Sequence, residues 1–276
     1  MKDFGGKNIT FGILGCGTMG GILFRVIRKA FPDNRVLLYD KNSKKGFILS
    51  KKSKLACVSE NIHELIKKST ILILAVKPQD FLKIEKVVAE KNKLIVSIMA
   101  GVSIKSIARK FKTKKIIRAM PNMASGFSSG VTGWTSTKYV SEKEKDIIKD
   151  VFNLMGASYY FASENKINDV TAVSGSGPAY FLYTIICFIK SAIKLGFSKK
   201  EDLNLVKDTF KGSYVLANKV GFSVKNLENL IKQVTSKGGT TEVALKFFKK
   251  KKFEKIWEQS VMSAFKRAVE LSKKYN

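Results

Sequence analysis

The segment Gly15-Cys16-Gly17-Thr18-Met19-Gly20 constrains this chain more than any other feature. It fits G-x-G-x-x-G, and it stands between an apolar run, Ile9 to Leu14, and a helical pattern from Met19 to Phe31. In that pattern Ile22, Leu23, Val26, Ile27 and Ala30 share one side. A glycine-rich turn with a strand before it and a helix after it is the dinucleotide-binding fingerprint. Gly15 permits the tight turn, Gly17 lets backbone approach a pyrophosphate, and Gly20 lets helix and strand pack closely. The free N–H groups at the helix start then face the anion. Asp40 closes the second predicted strand, Arg35 to Tyr39, where an acid accepts hydrogen bonds from adenosine ribose hydroxyls. Lys41 and Ser43 behind it suit a 2′-phosphate. Asp40 therefore speaks for NADH, and Lys41 with Ser43 for NADPH.

The rest of the first half repeats the same alternation. Short apolar runs at Leu55–Val58, Ile71–Val76, Leu94–Met99 and Ile116–Met120 read as strands, and Val131–Thr135 adds a last one. Helical patterns over Phe81–Ala89 and Ser103–Phe111 lie between them, with a further helix capped by Ser59 or Asn61 and running to Lys68. Ser141 and Glu144 form a capping box for a helix to Leu154, and Tyr159–Phe161 looks extended. Such alternation predicts a parallel sheet covered on both faces. After residue 162 strand-like runs stop. Helices are expected from behind Gly177-Pro178 to Leu195, from the Ser198 capping box to Val220, over Leu227–Val234, from Thr240, and to about Tyr275. The fold class is thus α/β: a Rossmann-type doubly wound sheet over residues 1–162, then an all-helical domain over residues 163–276.

Composition removes several functions. The single histidine, His63, excludes a histidine-based triad or a multi-histidine metal site, and three cysteines with no C-x-x-C pair argue against a disulfide scaffold or zinc module. No metal is expected. The odd, sparse cysteines suit a reducing, cytoplasmic compartment. The charge of +29 suggests nucleic acid, but six arginines leave 45 of the 51 basic residues as lysine, spread along the chain. Lysine is a hydrated point charge without arginine's fork, so the excess reads as a solvated surface, with no nucleic-acid partner. The longest apolar stretch, Pro178 to Ile189, is short for a bilayer, and no membrane partner is expected.

Three more strands end in unusual loops: Ala75-Val76-Lys77-Pro78-Gln79, Ser97 to Val102, and Arg118-Ala119-Met120-Pro121-Asn122. Ligands of open α/β sheets sit beyond such carboxyl ends. Together with the G-x-G-x-M-G loop and the Ala100-Gly101-Val102 turn, these stretches make the chain resemble pyrroline-5-carboxylate reductases over nearly its full length. In the helical half the resemblance rests on Val170-Thr171-Ala172-Val173-Ser174-Gly175-Ser176-Gly177-Pro178-Ala179-Tyr180 and on Val234-Thr235-Ser236-Lys237-Gly238-Gly239-Thr240-Thr241. One departure stands out: Lys237 replaces the family's usual proline. This makes the loop more flexible or brings a cation near a carboxylate.

The resemblance implies hydride transfer from NADPH or NADH to the C=N bond of a cyclic imino acid, giving proline. It implies that Gly15, Cys16, Gly17, Thr18, Met19, Gly20, Asp40, Lys41, Ser43, Asn61, Ala75, Val76, Lys77 and Ala100 form the cofactor site. Ser236, Gly239, Thr240 and Thr241 would hold the substrate carboxylate. Thr241 would face the ring nitrogen as proton donor or relay, with Lys77 near the nicotinamide. Homodimers with interlocking helices, and rings of dimers, are also implied. The apolar surround of Tyr180, Phe181, Tyr183, Ile185, Ile186, Phe188 and Ile189 fits a helix buried in a core or across a subunit interface. Two alternatives remain. A β-hydroxyacid dehydrogenase shares the first loop, but would carry a catalytic lysine shortly after Gly175-Ser176-Gly177, where none occurs before Lys190. A non-catalytic NADPH-binding protein would not need the intact 236–241 motif.

Overall fold

A computed structural model describes residues 9–85, 89 and 93–275. The chain divides into two compact units, Met1–Pro178 with Ser263–Asn276, and Ala179–Met262. The first unit holds the strands β1 (Thr10–Leu14), β2 (Arg35–Tyr39), β3 (Ala56–Val58), β4 (Ile71–Leu74), β5 (Leu94–Ser97), β6 (Ile116–Pro121), β7 (Gly130–Ser136) and β8 (Gly156–Tyr160). They form one sheet in the order β3-β2-β1-β4-β5-β6-β7-β8, whose first six positions follow the doubly wound dinucleotide-binding order.

The continuous apolar runs arise because these strands are buried on both faces. Ile71 and Ile73 of β4 join one core cluster, and Leu72 and Leu74 join the other. The helices α1 (Thr18–Ala30) and α6 (Glu142–Leu154) cover the first face. The other face is covered by α3 (Ile62–Lys68), α4 (Pro78–Lys83) and α5 (Ile104–Phe111). The Ser141–Glu144 capping box forms as expected.

Four local expectations are corrected. The sheet is not wholly parallel: β7 runs antiparallel to β6, because the short turn after Asn122 reverses the chain and is far too short for a parallel crossover. A helix not foreseen, α2 (Ser43–Ser50), follows β2; Asn42 caps it, and Gly46 lies against Val58. The helix expected over Phe81–Ala89 begins at Pro78 and ends at Lys83, with residues 86–88 of that expectation outside the described residues. Proline suits a first helical position, and the Lys110 ammonium donates to the carbonyls of Phe81 at 2.9 Å and Leu82 at 3.1 Å where the helix stops.

The fourth correction bears on the site. The helix expected behind Gly177-Pro178 opens earlier, at α7 (Lys166–Val170), and passes through a π turn, Thr171–Gly175, into α8 (Gly177–Lys194). The run totals 29 residues and is long and apolar enough, by length and composition only, to cross a bilayer, so its length no longer argues against that. Pro178 reads as a break because it has no N–H for the carbonyl four residues earlier, that of Ser174. That carbonyl instead accepts from the Asn122 side-chain amide at 3.2 Å. The remaining helices are α9 (Lys199–Val220), α10 (Val224–Gln233), α11 (Thr240–Lys250) and α12 (Phe253–Lys274).

The end of α12 belongs to the first unit. A Cβ on Gly101, whose φ is +74°, would lie 3.0 Å from the Cβ of Leu271. Arg118 is buried on β6 and donates to Glu164 at 2.7 Å, and Glu164 also accepts the Ile104 N–H at 2.8 Å. Asn168 accepts from the Ser272 hydroxyl at 3.1 Å. This network ties the loop at the end of β5, the start of α5, α7 and the last turns of α12 into one body.

Candidate active site

The carboxyl ends of β2, β1 and β4 lie side by side, and Tyr39, Leu14 and Leu74 stand in one row of the ladder. The glycine loop is built against both neighbours. Gly15 has a φ of +101°, and a Cβ there would lie 2.6 Å from the Ala75 carbonyl oxygen. A Cβ on Gly20 would fall 1.9 Å from the Gly15 carbonyl oxygen, so only glycine lets α1 approach. Gly17 differs: a Cβ there would meet nothing within 4 Å. Gly17 is also the N-cap of α1, which has no side-chain cap and no acid in its first turn. Thr18 and Met19 open that helix, where backbone N–H groups have no intrahelical acceptor. This cradle fits the pyrophosphate of a dinucleotide.

Asp40 has a role that sequence reasoning missed. One carboxylate oxygen accepts the Cys16 N–H at 2.7 Å and the other the Asn42 N–H at 2.9 Å, while Gly15 N–H donates to the Tyr39 carbonyl at 2.8 Å. Asp40 thus staples the glycine loop to the end of β2 and keeps its second lone pairs for other donors. The buried Cys16 thiol is pushed up to about 12, first by burial and then by the Asp40 charge, with Lys45 opposing. It stays a neutral wall of the loop.

Lys41 forms an ion pair with Asp80, in the first turn of α4, at 2.7 Å. The hydrogen bond from Lys41 holds the Asp80 carboxyl below its usual range. Ser43 is the first residue of α2, and the N-cap side chain of Asn42 accepts the Lys44 N–H at 3.2 Å. Asn61 follows β3 and caps α3, accepting the Glu64 N–H at 2.9 Å. Ala75 donates its N–H to the Leu14 carbonyl at 2.8 Å; Val76 follows, and Lys77 is the exposed N-cap of α4. Ala100 precedes the positive-φ Gly101 behind β5. Gly15 to Gly20, Asp40 to Ser43 and Ala75 to Lys77 thus come together on three neighbouring strands; Ala100 lies one strand further on, and Asn61 at the outer edge.

Asn122 was overlooked as a site-building residue. It is buried, its amide donates to the Ser174 carbonyl at 3.2 Å and hydroxyl at 3.3 Å, and its oxygen accepts the Val131 N–H. Gly175 lies beside it, where a Cβ would stand 2.8 Å from the Met120 methyl, so the two motifs pack closely. The Met120-Pro121-Asn122 and Ser174-to-Pro178 motifs are therefore one packed feature. The signal was present in the spacing: a proline orphans the carbonyl four residues before it.

The turn at 236–241 belongs to the second unit. Ser236 accepts the Gly239 N–H at 3.0 Å through its carbonyl, and Gly238 has a φ of +74°. A Cβ on Gly239 would lie 2.4 Å from the Ser236 hydroxyl oxygen, so glycine there leaves the hydroxyl in place. Gly239 is the N-cap of α11 and makes no side-chain cap, which leaves the N–H groups of Thr240 and Thr241 as donors at a helix start. Glu242 does not crowd that end. One of its oxygens accepts the Gly238 N–H at 2.6 Å and the other pairs with Lys246 at 2.8 Å, holding the carboxyl below its usual range. Lys237, Ser236 and Thr240 are exposed and Thr241 half-buried. Such a turn can grip a small carboxylate and present a hydroxyl beside it.

On α8, Phe181 is 54% and Tyr183 69% exposed in the single chain. Burial within its own core is therefore ruled out, leaving a subunit interface as the expected cover.

The comparisons match the two halves of the chain to different families. Residues 164–271 match the pyrroline-5-carboxylate reductase dimerisation family, and residues 10–101 match the family described as NADP oxidoreductase coenzyme F420-dependent. A pyrroline-5-carboxylate reductase of Aquifex aeolicus is 31% identical over 264 residues, covering 95% of this chain and 96% of its own. Among solved structures, a pyrroline-5-carboxylate reductase from Coxiella burnetii is 26% identical with a TM-score of 0.83, covering 96% of this chain and 99% of that one. The Plasmodium falciparum pyrroline carboxylate reductase, solved with NADP bound, is 27% identical with a TM-score of 0.78, covering 96% and 98%. With its fingerprint loop on a doubly wound sheet, its helical half in the dimerisation family and a relative of that identity along its whole length, this chain belongs to the pyrroline-5-carboxylate reductase family.

Proposed function

We propose that this protein reduces the C=N bond of 1-pyrroline-5-carboxylate to L-proline with NADPH, or NADH, as hydride donor, the last step of proline synthesis. The full-length similarity to the Aquifex aeolicus enzyme carries this reading, and the open cradle at Gly17 supports it. The cofactor supplies a hydride when bound. This chain's residues hold and orient the reactants. The first-turn donors of α1 and the Gly15–Gly20 loop take the pyrophosphate, Asp40 to Ser43 the adenosine end, and Ala75 to Lys77 with Ala100 the nicotinamide side.

Ser236 and the N–H groups of Thr240 and Thr241 hold the substrate carboxylate, with Gly239 keeping room for the Ser236 hydroxyl. The Thr241 hydroxyl faces the ring nitrogen. A protonated cyclic imine already accepts hydride well, so positioning supplies most of the rate. The imine carbon gains the hydride, the C=N π pair moves onto nitrogen as its lone pair, and the iminium charge is neutralised. Thr241 holds or relays the nitrogen's proton, which suits a chain without a histidine base. Lys77 adds positive charge near the nicotinamide.

The apolar faces of α8 to α11 pack against a second copy of the chain, and rings of dimers are the higher assembly. The cytoplasm is the compartment we assign, where three unpaired thiols persist. The direct test is consumption of NADPH and NADH, side by side, with 1-pyrroline-5-carboxylate and identification of proline as product. Nucleotide binding without turnover of the imine would leave a dinucleotide-binding protein and remove the reductase reading.

A further inference from the structure

We propose that Asp80 is a specificity-determining residue at the adenosine end of the cofactor site: it competes with the 2′-phosphate for Lys41, and so keeps NADH usable by a site that would otherwise favour NADPH strongly. The inference rests on the nucleotide-binding reading above.

The argument begins with the sheet. β2 and β4 are the two neighbours of β1, so the loops after them stand on either side of the glycine loop. Adjacent strands are about 4.8 Å apart, which separates β2 from β4 by about 10 Å. Lys41 comes from the loop after β2 and Asp80 from the first turn of α4 behind β4, yet their side chains meet at 2.7 Å. Their bond therefore crosses between the loops flanking the glycine turn.

Lys41 is also the residue behind Asp40, where doubly wound dehydrogenases place the cation that accepts a 2′-phosphate. Each Asp40 oxygen holds a loop N–H group and keeps a lone pair for a ribose hydroxyl, and both nucleotides offer one at the 3′ position, so Asp40 alone does not decide between them. The choice between the two nucleotides then falls to the cation and whatever competes for it. Asp80 is the partner it has. Lys41 is 75% exposed, so it swings readily, and an exposed single-charge pair is a weak competitor beside a phosphate that carries more charge. Binding of NADPH exchanges one partner for the other, at a cost NADH does not bear. Asp80 also faces Lys77 and Lys83, so its own charge persists while Lys41 is away.

The test is a set of dissociation constants for NADPH and NADH, by fluorescence titration of the full chain in low salt, for wild type, Asp80→Asn, Lys41→Gln and the double variant. Asp80→Asn is expected to tighten NADPH by about 3–5-fold and to change NADH by less than about 2-fold. Lys41→Gln weakens NADPH selectively. In the double variant the effect of the Asp80 substitution disappears, as coupling through one shared partner requires. Asp80→Ser, which keeps a hydrogen-bonding side chain in the first turn of α4, repeats the result should Asn disturb that turn. An Asp80 effect equal for both nucleotides, or one that survives without Lys41, overturns the inference and leaves the reductase reading standing. A wild-type chain that binds neither nucleotide overturns both.

Discussion

The sheet unit and the helical unit treat their apolar residues in opposite ways. Phe11, Ile13, Leu72 and Phe111 are wholly buried within the first unit, in two clusters that its own helices close. In the second unit Leu182, Tyr183, Leu195 and Phe222 remain mostly exposed, and α10 and α11 bury no residue. Exposed apolar area on this scale is rare on a protein that works alone. The first unit is a finished scaffold with loops presented at one edge. The second carries most of the dimerisation-family match and leaves its apolar faces uncovered in the single chain. A dinucleotide cradle needs rigid loops on a closed core; a dimer-forming helical unit needs the opposite.

The comparison can be broken most forcefully at the interface. Tyr183→Glu places an unpaired charge on the exposed face of α8, and a desolvated unpaired charge costs about 3–5 kcal/mol. The dimer dissociation constant is expected to rise by at least about 100-fold in sedimentation. NADPH binding by the sheet unit should survive. Loss of both together would show that the sheet unit is not self-sufficient.

A comparable loss, confined to the sheet unit, is expected from Gly20→Ala. The added methyl cannot share space with the Gly15 carbonyl oxygen 1.9 Å away, so α1 must shift off β1. Nucleotide binding should fall by at least about 10-fold, with a stability cost of about 2–4 kcal/mol by chemical denaturation. Wild-type affinity in that variant would remove the glycine loop from the site.

Thr241→Val sharpens the division of labour. Turnover should fall by about 100-fold, the lower end of the range for a positioned proton donor, while NADPH affinity stays within about 2-fold. Asn122→Ala tests how the family motifs are joined inside the first unit. It strands the Ser174 carbonyl and should cost about 1–3 kcal/mol, read as a lowered melting temperature.

The smallest effect is that of pH on the 236–241 turn. The Glu242 carboxyl is lowered first by the hydrogen bond from Lys246 and then by that from Gly238. Its contribution is present above the unfolded carboxyl pKa and is lost as pH falls through the lower folded value. The carboxyl resonance of Glu242 should therefore titrate below the ordinary glutamate range, and Lys246→Met should move it back up.

Most of the sheet unit was legible because its signals are local. Continuous apolar runs mark strands buried on both faces, and Ser141 with Glu144 marks a helix start through a bond between near neighbours. What escaped depends on partners distant in the chain. Nothing around Asp40 announces that Cys16 will use its carboxylate, and nothing around Lys41 announces Asp80, 39 residues on. The helix through Gly177 and Pro178 was hidden because that pair reads as a helix start; Asn122, 52 residues before Ser174, takes the carbonyl that the proline orphans. The direction of β7 depended on the tightness of the turn before it. In the helical unit, periodicity located the helices but not their purpose. An apolar face of α8 reads the same whether a core or a partner covers it, and only the exposure of Phe181 and Tyr183 separates the two.

The most direct measurement is a single-turnover experiment: the full chain preloaded with NADPH, mixed with 1-pyrroline-5-carboxylate, followed by nicotinamide absorbance and by amino-acid analysis. One proline formed for each NADPH oxidised, with the rate lowered by Thr241→Val and the bound nucleotide retained, is the expected result. A folded, NADPH-loaded protein that leaves the imine unreduced, or that oxidises NADPH at the same rate when the imine is left out, would contradict it.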